Sequence, residues 1–358
     1  MKHINRSLCN AQKRASLHPK RQKVKAVAEN QIRRILCIDG GGIKGVMPAA
    51  YLAYIEETLG INIADHFDLI AGTSTGGIIA LGLGMGVPPG EILKLYKEKG
   101  ATIFGQDVPV GLKIPNQVWL CGKQLFFRKY SSENLQHALT GVLGNKRLGE
   151  SKNRLVIPAY SDTLPGPYLF KTAHHTRLRS DYKQMPVDVA LATSAAPTYF
   201  SKHQIATGEE LIDGGVWANN PIGVAALEAA CILNWDMSKT HILSIGCTAN
   251  ITTYPRHGGL LSLSGGRIAK LLIDGQSHVS TATAKLLLGG PESEGRIIRQ
   301  EVMLKKDYFK LDDTTKVNAL EGLSRQEARH TLPKIQNTFF STSVQPFKPE
   351  YEVLDHAA

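Results

Sequence analysis

The chain has 358 residues, 42% of them hydrophobic and 20% charged, proportions that exclude a disordered polymer and leave room for one large domain or two smaller ones. Most of its formal charge of +11 lies at the start, where the first 28 residues hold eight Lys or Arg and no acid. No apolar stretch of signal-peptide length follows, which argues against export, and the five cysteines form no CxxC pair and no metal-ligand spacing, which argues for a reducing compartment without structural disulfides or zinc.

Residues 1–30 read as a solvated or partly helical basic arm, with an electrostatic contact to anionic lipid, a nucleotide or a partner chain as the sharper alternative. Arg34 to Ile38 is then a short apolar run of strand type, ending in Asp39-Gly-Gly-Gly-Ile-Lys-Gly45. Pro48 suits the first turn of a helix whose apolar positions Leu52, Ile55 and Leu59 recur at helical spacing, with Gly60 as its stop. Phe67 to Ala71 reads as a second buried strand, followed by Gly72-Thr-Ser-Thr-Gly76 and a helix starting at Gly77. This β-α-β-α opening predicts an α/β fold with a mainly parallel sheet. The charge-free run from Leu69 to Gly90 has the length of a membrane span, but its seven glycines and Pro88-Pro89 fit a strand, a turn and a helix better.

Residues 101–130 mix Ile103, Phe104, Trp119 and Phe126 with Lys113, Lys123, Arg128 and Lys129, the composition either of a lid-like insertion at an interface or of a segment packed on the core. Exposure of Trp119 and Phe126 would decide between the two. Further strands are expected at Leu155 to Tyr160, Tyr168 to Lys171 and His241 to Ile245, and helices at Val187 to Ser194, Ile222 to Leu233 and Arg267 to Leu288. Arg296 to Leu304 and Tyr308 to Leu311 read as extended, and Arg325 to Phe339 as helical despite Pro333. With no repeat and no linker rich in Pro, Gly or Ser, one catalytic domain over 31–345 with a tail at 346–358 is the simplest organisation.

The chemistry centres on Ser74. A strand that turns sharply into a helix lifts a serine oxygen out of the sheet, and Gly72 and Gly76 remove the Cβ atoms that would clash there. Acyl transfer also needs a base and fixed donors for the oxyanion. The Gly40-Gly41-Gly42 loop can aim successive N–H groups at such an anion, and Lys44 either adds charge or lies on the surface. No histidine carries a local signature of a base, and His174-His175 is a weak candidate. Leu211-Ile-Asp-Gly-Gly215 is more informative, because an apolar strand end delivers Asp213 into a turn at Gly214 and Gly215, and partial desolvation would make its carboxylate basic enough to take a serine proton. Read alone, it is an ordinary Asp-Gly turn.

In order, Asp39-Gly-Gly-Gly-Ile-Lys-Gly45, Gly72-Thr-Ser-Thr-Gly76 and Asp213-Gly-Gly215, with Asn219-Asn220-Pro221 in support, resemble the patatin-like phospholipases over roughly residues 33 to 250. The resemblance implies a three-layer patatin-like fold with helices on both faces of the sheet. It also implies a Ser74–Asp213 dyad, Gly41 and Gly42 as oxyanion donors, and calcium-independent hydrolysis of lipid acyl esters with no metal or cofactor. Gly40, Lys44, Gly45, Gly72, Gly76, Gly214 and Gly215 are the supporting motif positions. Lys44 stands where many members carry Arg, which keeps the charge and loses the planar fork. The chain also looks like the compact bacterial members that act as cyclic-nucleotide-activated effectors in anti-phage defence. That likeness implies a phospholipid membrane surface and a cyclic dinucleotide activator as partners, and a cytoplasmic protein acting peripherally at the inner face of the membrane. No DNA or RNA partner is expected, and a homodimer is left open.

Two rivals from other classes stand beside this reading. Gly40-x-Gly42-x-x-Gly45 follows a strand and opens a helix as a dinucleotide-binding fingerprint does, but the second strand ends in Ala71-Gly-Thr-Ser74 without the acid that would hold a ribose. A catalytically silent scaffold is the other, and intact Ser74 and Asp213 argue against it.

Overall fold

A computed structural model describes residues 31–103, 130–250, 267–304 and 313–353. The basic arm, Trp119 and Phe126 of the expected lid, and the extended stretch from Tyr308 to Leu311 all fall outside the described residues.

The chain opens with β1 (Arg33–Ile38), a 3-10 turn at Gly42–Gly45, α1 (Val46–Leu59), β2 (Leu69–Gly72) and α2 (Thr75–Gly84). Then come α3 (Pro89–Ile103), α4 (Ser132–Leu143), β3 (Arg154–Ser161), β4 (Gly166–Lys171) and α5 (Pro186–Thr193). The short strands β5 (His203–Gln204) and β6 (Glu210–Asp213) lead into α6 (Gly215–Ala218) and α7 (Ile222–Leu227), and β7 (Thr240–Asn250), α8 (Arg267–Leu287), β8 (Ile297–Leu304) and α9 (Val317–Ile335) complete the order. The sheet runs β5-β6-β3-β2-β1-β7-β8, with β4 paired to β3 outside that path. Strands β3, β2, β1, β7 and β8 pair in parallel, while β4, β5 and β6 are antiparallel. The mainly parallel sheet expected from the β-α-β-α opening is what forms.

Alternation along β1 explains the layering. Leu36 and Ile38 join one large core with Ile70, Val46, Leu52 and Phe339, whereas Ile35 and Cys37 join a second with Leu69, Ala71, Ile222 and Ala226 on the opposite face. A strand apolar at successive positions is thereby buried on both sides, as a parallel sheet between helical layers requires. Helices α1 and α9 pack together over the first core, and α7 packs on α8 over the second.

The structure differs from the sequence reading in its helices. Neither α3 nor α4 was expected, although α4 has Ser131 accepting from the Glu133 N–H as a cap. The helix expected to begin at Arg325 begins at Val317, and Pro333 sits near its end, after which the chain widens into a π turn at Gln336–Phe340. The helix expected over Ile222 to Leu233 likewise becomes a π turn at Glu228–Ile232. Among the described residues, no helix is long and apolar enough to cross a membrane.

Candidate active site

Three loops leave neighbouring strands at their carboxyl ends or beside them, and backbone hydrogen bonds stitch them together. The Asp39 N–H donates to Ile245 O, the Thr73 N–H to Ile38 O, and the Gly40 N–H to Asn219 O at 3.0 Å. Thr73 Oγ1 donates to Ala218 O at 2.6 Å and Asn219 Nδ2 to Gly40 O at 3.4 Å. Motifs well over a hundred residues apart in sequence thus share one backbone frame.

Ser74 sits between β2 and α2 with φ 56 and ψ −124, a conformation that side chains other than glycine rarely adopt. Holding it there costs about 1–3 kcal/mol, supplied by the surrounding packing. The flanking glycines make the turn feasible: a Cβ on Gly72 would collide with the Gly76 carbonyl, and one on Gly76 with the Ile38 carbonyl. The Ser74 N–H donates to Thr193 Oγ1 at 3.0 Å, and that hydroxyl donates on to Pro158 O at 2.5 Å. Thr193, the last residue of α5, therefore pins the elbow, and nothing in its local sequence marks it.

Strand β6 delivers Asp213 to the same place. Ser74 Oγ donates to Asp213 Oδ2 at 2.7 Å, and the Gly215 N–H donates to Asp213 Oδ1 at 2.6 Å. Both side chains are buried, with relative exposures of 9% and 6%. Burial pushes the Asp213 carboxyl up to about 6, and the bonds from Ser74 and Gly215 offset only part of that rise. No cation among the described residues pairs with it. A desolvated carboxylate with a pKa near neutrality, already bonded to a hydroxyl, can remove that hydroxyl's proton as it attacks a carbonyl.

The other motif positions lie around this pair. Gly40 faces Ser74 and Asn219, close enough that a Cβ would overlap the Asn219 amide oxygen, and Gly45 packs against Thr75 and Tyr96. Gly214 lies against the Pro158 carbonyl and Gly215 against Asp213. The Gly41 N–H donates to Thr75 Oγ1 at 3.1 Å, so one of the two expected oxyanion donors is engaged by a hydroxyl here. Gly42, with φ 59, opens the 3-10 turn, and at such a terminus the first N–H has no partner within the turn. Lys44 is buried, which excludes the surface alternative, and its charge acts on the Cys247 thiol.

His174, of the weak candidate pair, is placed elsewhere. His174 Nε2 lies 2.9 Å from Glu228 Oε1 and its Nδ1 2.9 Å from Thr172 Oγ1, a buried structural network with Lys171 and not a base for Ser74. Asp39 is also accounted for: Arg299 of β8 grips both its oxygens, at 2.6 and 3.2 Å, and donates to Ser244 Oγ at 2.8 Å. Arg299 anchors the root of the glycine loop from a strand that the motif spacing never reaches.

Strand, elbow, buried aspartate and glycine loop define a serine acyl hydrolase built on a three-layer α/β/α sheet. The patatin-like phospholipase family matches residues 36–226, which takes in all three motifs, and the chain belongs to that family. It is 34% identical over 283 residues to a cGAMP-activated phospholipase of Pseudomonas aeruginosa, covering 78% of each chain. A cGAMP-activated phospholipase of Escherichia coli is also 34% identical, over 278 residues, covering 74% of this chain and 73% of that one. Among solved structures, VipD from Legionella pneumophila is a distant likeness, at 12% identity and a TM-score of 0.43 over 84% of this chain and 67% of that one. The dinucleotide-binding alternative is set aside, because its glycine fingerprint lies inside the patatin match.

Proposed function

We propose that this lipid acyl hydrolase cleaves acyl esters of membrane phospholipids through a Ser74–Asp213 dyad and is switched on by a cyclic dinucleotide. The observation that carries the chemistry is the 2.7 Å hydrogen bond from the hydroxyl of an elbow serine to a buried, cation-free carboxylate. Ser74 Oγ attacks the ester carbonyl carbon while its proton passes to Asp213. The resulting oxyanion accepts from the Gly42 N–H, and from the Gly41 N–H once the Thr75 hydroxyl yields it. Collapse breaks the bond to the lysophospholipid oxygen, which leaves with the proton from Asp213. Water then attacks the acyl-enzyme as Asp213 takes its proton, and Asp213 passes that proton to Ser74 Oγ as the fatty acid departs.

Support for the switch comes from relatives named as cGAMP-activated, aligned with this chain over about three quarters of its length. A role in anti-phage defence, and action at the inner face of the membrane, follow from the same reading. A serine-reactive fluorophosphonate should label the wild type and not Ser74→Ala. Mass spectrometry of vesicle lipids should show lysophospholipid and fatty acid accumulating with cGAMP present and slowly without it. Labelling that persists in Ser74→Ala refutes the dyad, whereas equal hydrolysis with and without cGAMP refutes the switch and leaves the chemistry standing.

A further inference from the structure

Helix α8 (Arg267–Leu287) is inside out for a water-facing helix. Its inward side joins Ala284 and Leu287, packed in the second core, to a polar row spent on Asn220. Asn220 Nδ2 donates to Ser277 Oγ at 3.1 Å and Thr281 Oγ1 at 3.2 Å, Ser280 Oγ donates to Asn220 O at 2.7 Å, and Gln276 Oε1 accepts from the Asn220 N–H at 3.2 Å. Its outward side is apolar. Leu272, Val279 and Leu286 are 64%, 67% and 75% exposed, and Ile268, Gly275 and Ala282 lie exposed between them. These positions repeat at intervals of four and three residues, one continuous stripe about 27 Å long at 1.5 Å per residue.

The stripe adjoins the catalytic centre. Asn219, the neighbour of Asn220, is bonded to Gly40 of the glycine loop, and α6, which begins two residues after Asp213 and exposes Val216, packs against α8. Lys285 is exposed beside Leu286 at the edge of this stripe, and the helix as a whole carries Arg267, Lys270 and Lys285 against a single acid, Asp274. Two copies meeting along this stripe would juxtapose helices of the same net positive charge, whereas an anionic lipid surface complements it. An apolar face with basic residues on a helix of this length is the pattern of a segment lying in a membrane interface.

We infer that the exposed face of α8 seats the enzyme on an anionic phospholipid bilayer and holds the Ser74 site against its substrate. The inference rests on the phospholipase reading and extends it to a surface. The test uses the full chain with cGAMP present, and vesicles of phosphatidylcholine with or without phosphatidylglycerol. Leu272→Gln/Val279→Gln/Leu286→Gln should reduce co-sedimentation with anionic vesicles at least tenfold while leaving hydrolysis of a soluble short-chain ester unchanged. Leu272→Trp should show a blue-shifted emission when vesicles are added, a readout that does not depend on the triple variant. Lys285→Gln should weaken binding to anionic vesicles and leave the weaker binding to neutral ones unaltered.

Wild-type vesicle binding by the triple variant, or an emission from Leu272→Trp that vesicles leave unshifted, overturns the assignment. A wild-type dimer that the triple variant dissociates, with vesicle binding retained, also overturns it and gives the stripe to a second copy. If the wild type binds vesicles through this helix yet hydrolyses neither vesicle lipid nor soluble ester, the docking surface stands and the phospholipase reading is what fails.

Discussion

Asp39 and Asp213 each end a β-strand or directly follow one, each precede two glycines and each are buried, but their partners differ in kind. Asp39 receives two hydrogen bonds from the Arg299 guanidinium, and although burial opposes the charge on Arg299, Asp39 and Glu301 outweigh it and raise its pKa. Burial also pushes the Asp39 carboxyl up, and the Arg299 charge opposes that rise. Among the described residues, the Asp213 carboxylate is bonded by the Ser74 hydroxyl and the Gly215 amide, neither of them charged. A carboxylate whose two oxygens are both held by a guanidinium is a strut, with no oxygen turned to a reacting hydroxyl. One buried without a cation is a weaker acid, its carboxyl pushed up to about 6. The same three-residue motif therefore serves structure in one loop and, in the proposed mechanism, proton transfer in the other.

Removing the free carboxylate is the most severe way to test that contrast. Asp213→Asn should lower phospholipid turnover by about 10³-fold or more, since it removes the base while preserving the shape of the turn. An Asn variant within tenfold of the wild type, measured by mass spectrometry of the released fatty acid, breaks the comparison. In the wild type, activity should rise with pH as Asp213 ionises, reach half its plateau near pH 6 and stay flat above, read from initial rates across a buffer series.

The strut should fail in stability first. Arg299→Gln leaves Asp39 buried without its cation and should cost about 3–5 kcal/mol in denaturant unfolding, because breaking a buried pair strands the remaining charge. Asp39→Asn/Arg299→Gln should recover most of that loss. If the double variant is no more stable than the single one, Arg299 acts mainly through Ser244 or Glu301.

A smaller effect of opposite sign is expected at the base. Asp213 has a raised pKa in the folded protein, so between about pH 4 and pH 6 the native state keeps a proton that the unfolded chain has released, and stability falls as pH rises through that window. Above it the ionised carboxylate costs up to about 3 kcal/mol, two pKa units at 1.36 kcal/mol each. Asp213→Asn should therefore be more stable than the wild type at pH 8 by up to that amount and equal to it at pH 4, as measured by urea melts. An inactive variant that gains stability marks a site where function is held against folding.

Smallest is the effect at the pin. Thr193→Val leaves the Ser74 N–H buried without its acceptor and should cost about 1–3 kcal/mol, with a loss of turnover that Thr193→Ser restores. Wild-type turnover by the Val variant would show that the elbow holds its geometry without that bond.

Local features of the chain were enough to locate much of this. Gly72-Thr-Ser-Thr-Gly76 between an apolar strand and a helix announces an elbow, because only glycine tolerates the close carbonyls on either side. Asp213 is legible as the end of an apolar run entering a glycine pair. Arg299, Thr193 and Thr75 were not legible as partners: each acts through one contact with a distant segment or with a loop that folds back, and an isolated Arg or Thr has no periodicity or spacing to betray it. Helix α3 was missed because its apolar positions are interleaved with charge, whereas α4 carries Leu135, Leu139 and Leu143 at a helical spacing that the sequence reading passed over.

Order along the chain thus determined the fold class, the candidate nucleophile and the candidate base, because strand alternation and glycine turns are properties of a few adjacent residues. Which of the two Asp-Gly-Gly turns could accept a proton was decided only in three dimensions. A carboxyl group's basicity depends on the charges and water around it, and here Arg299 of β8, 260 residues beyond Asp39, brings its charge to Asp39 and not to Asp213.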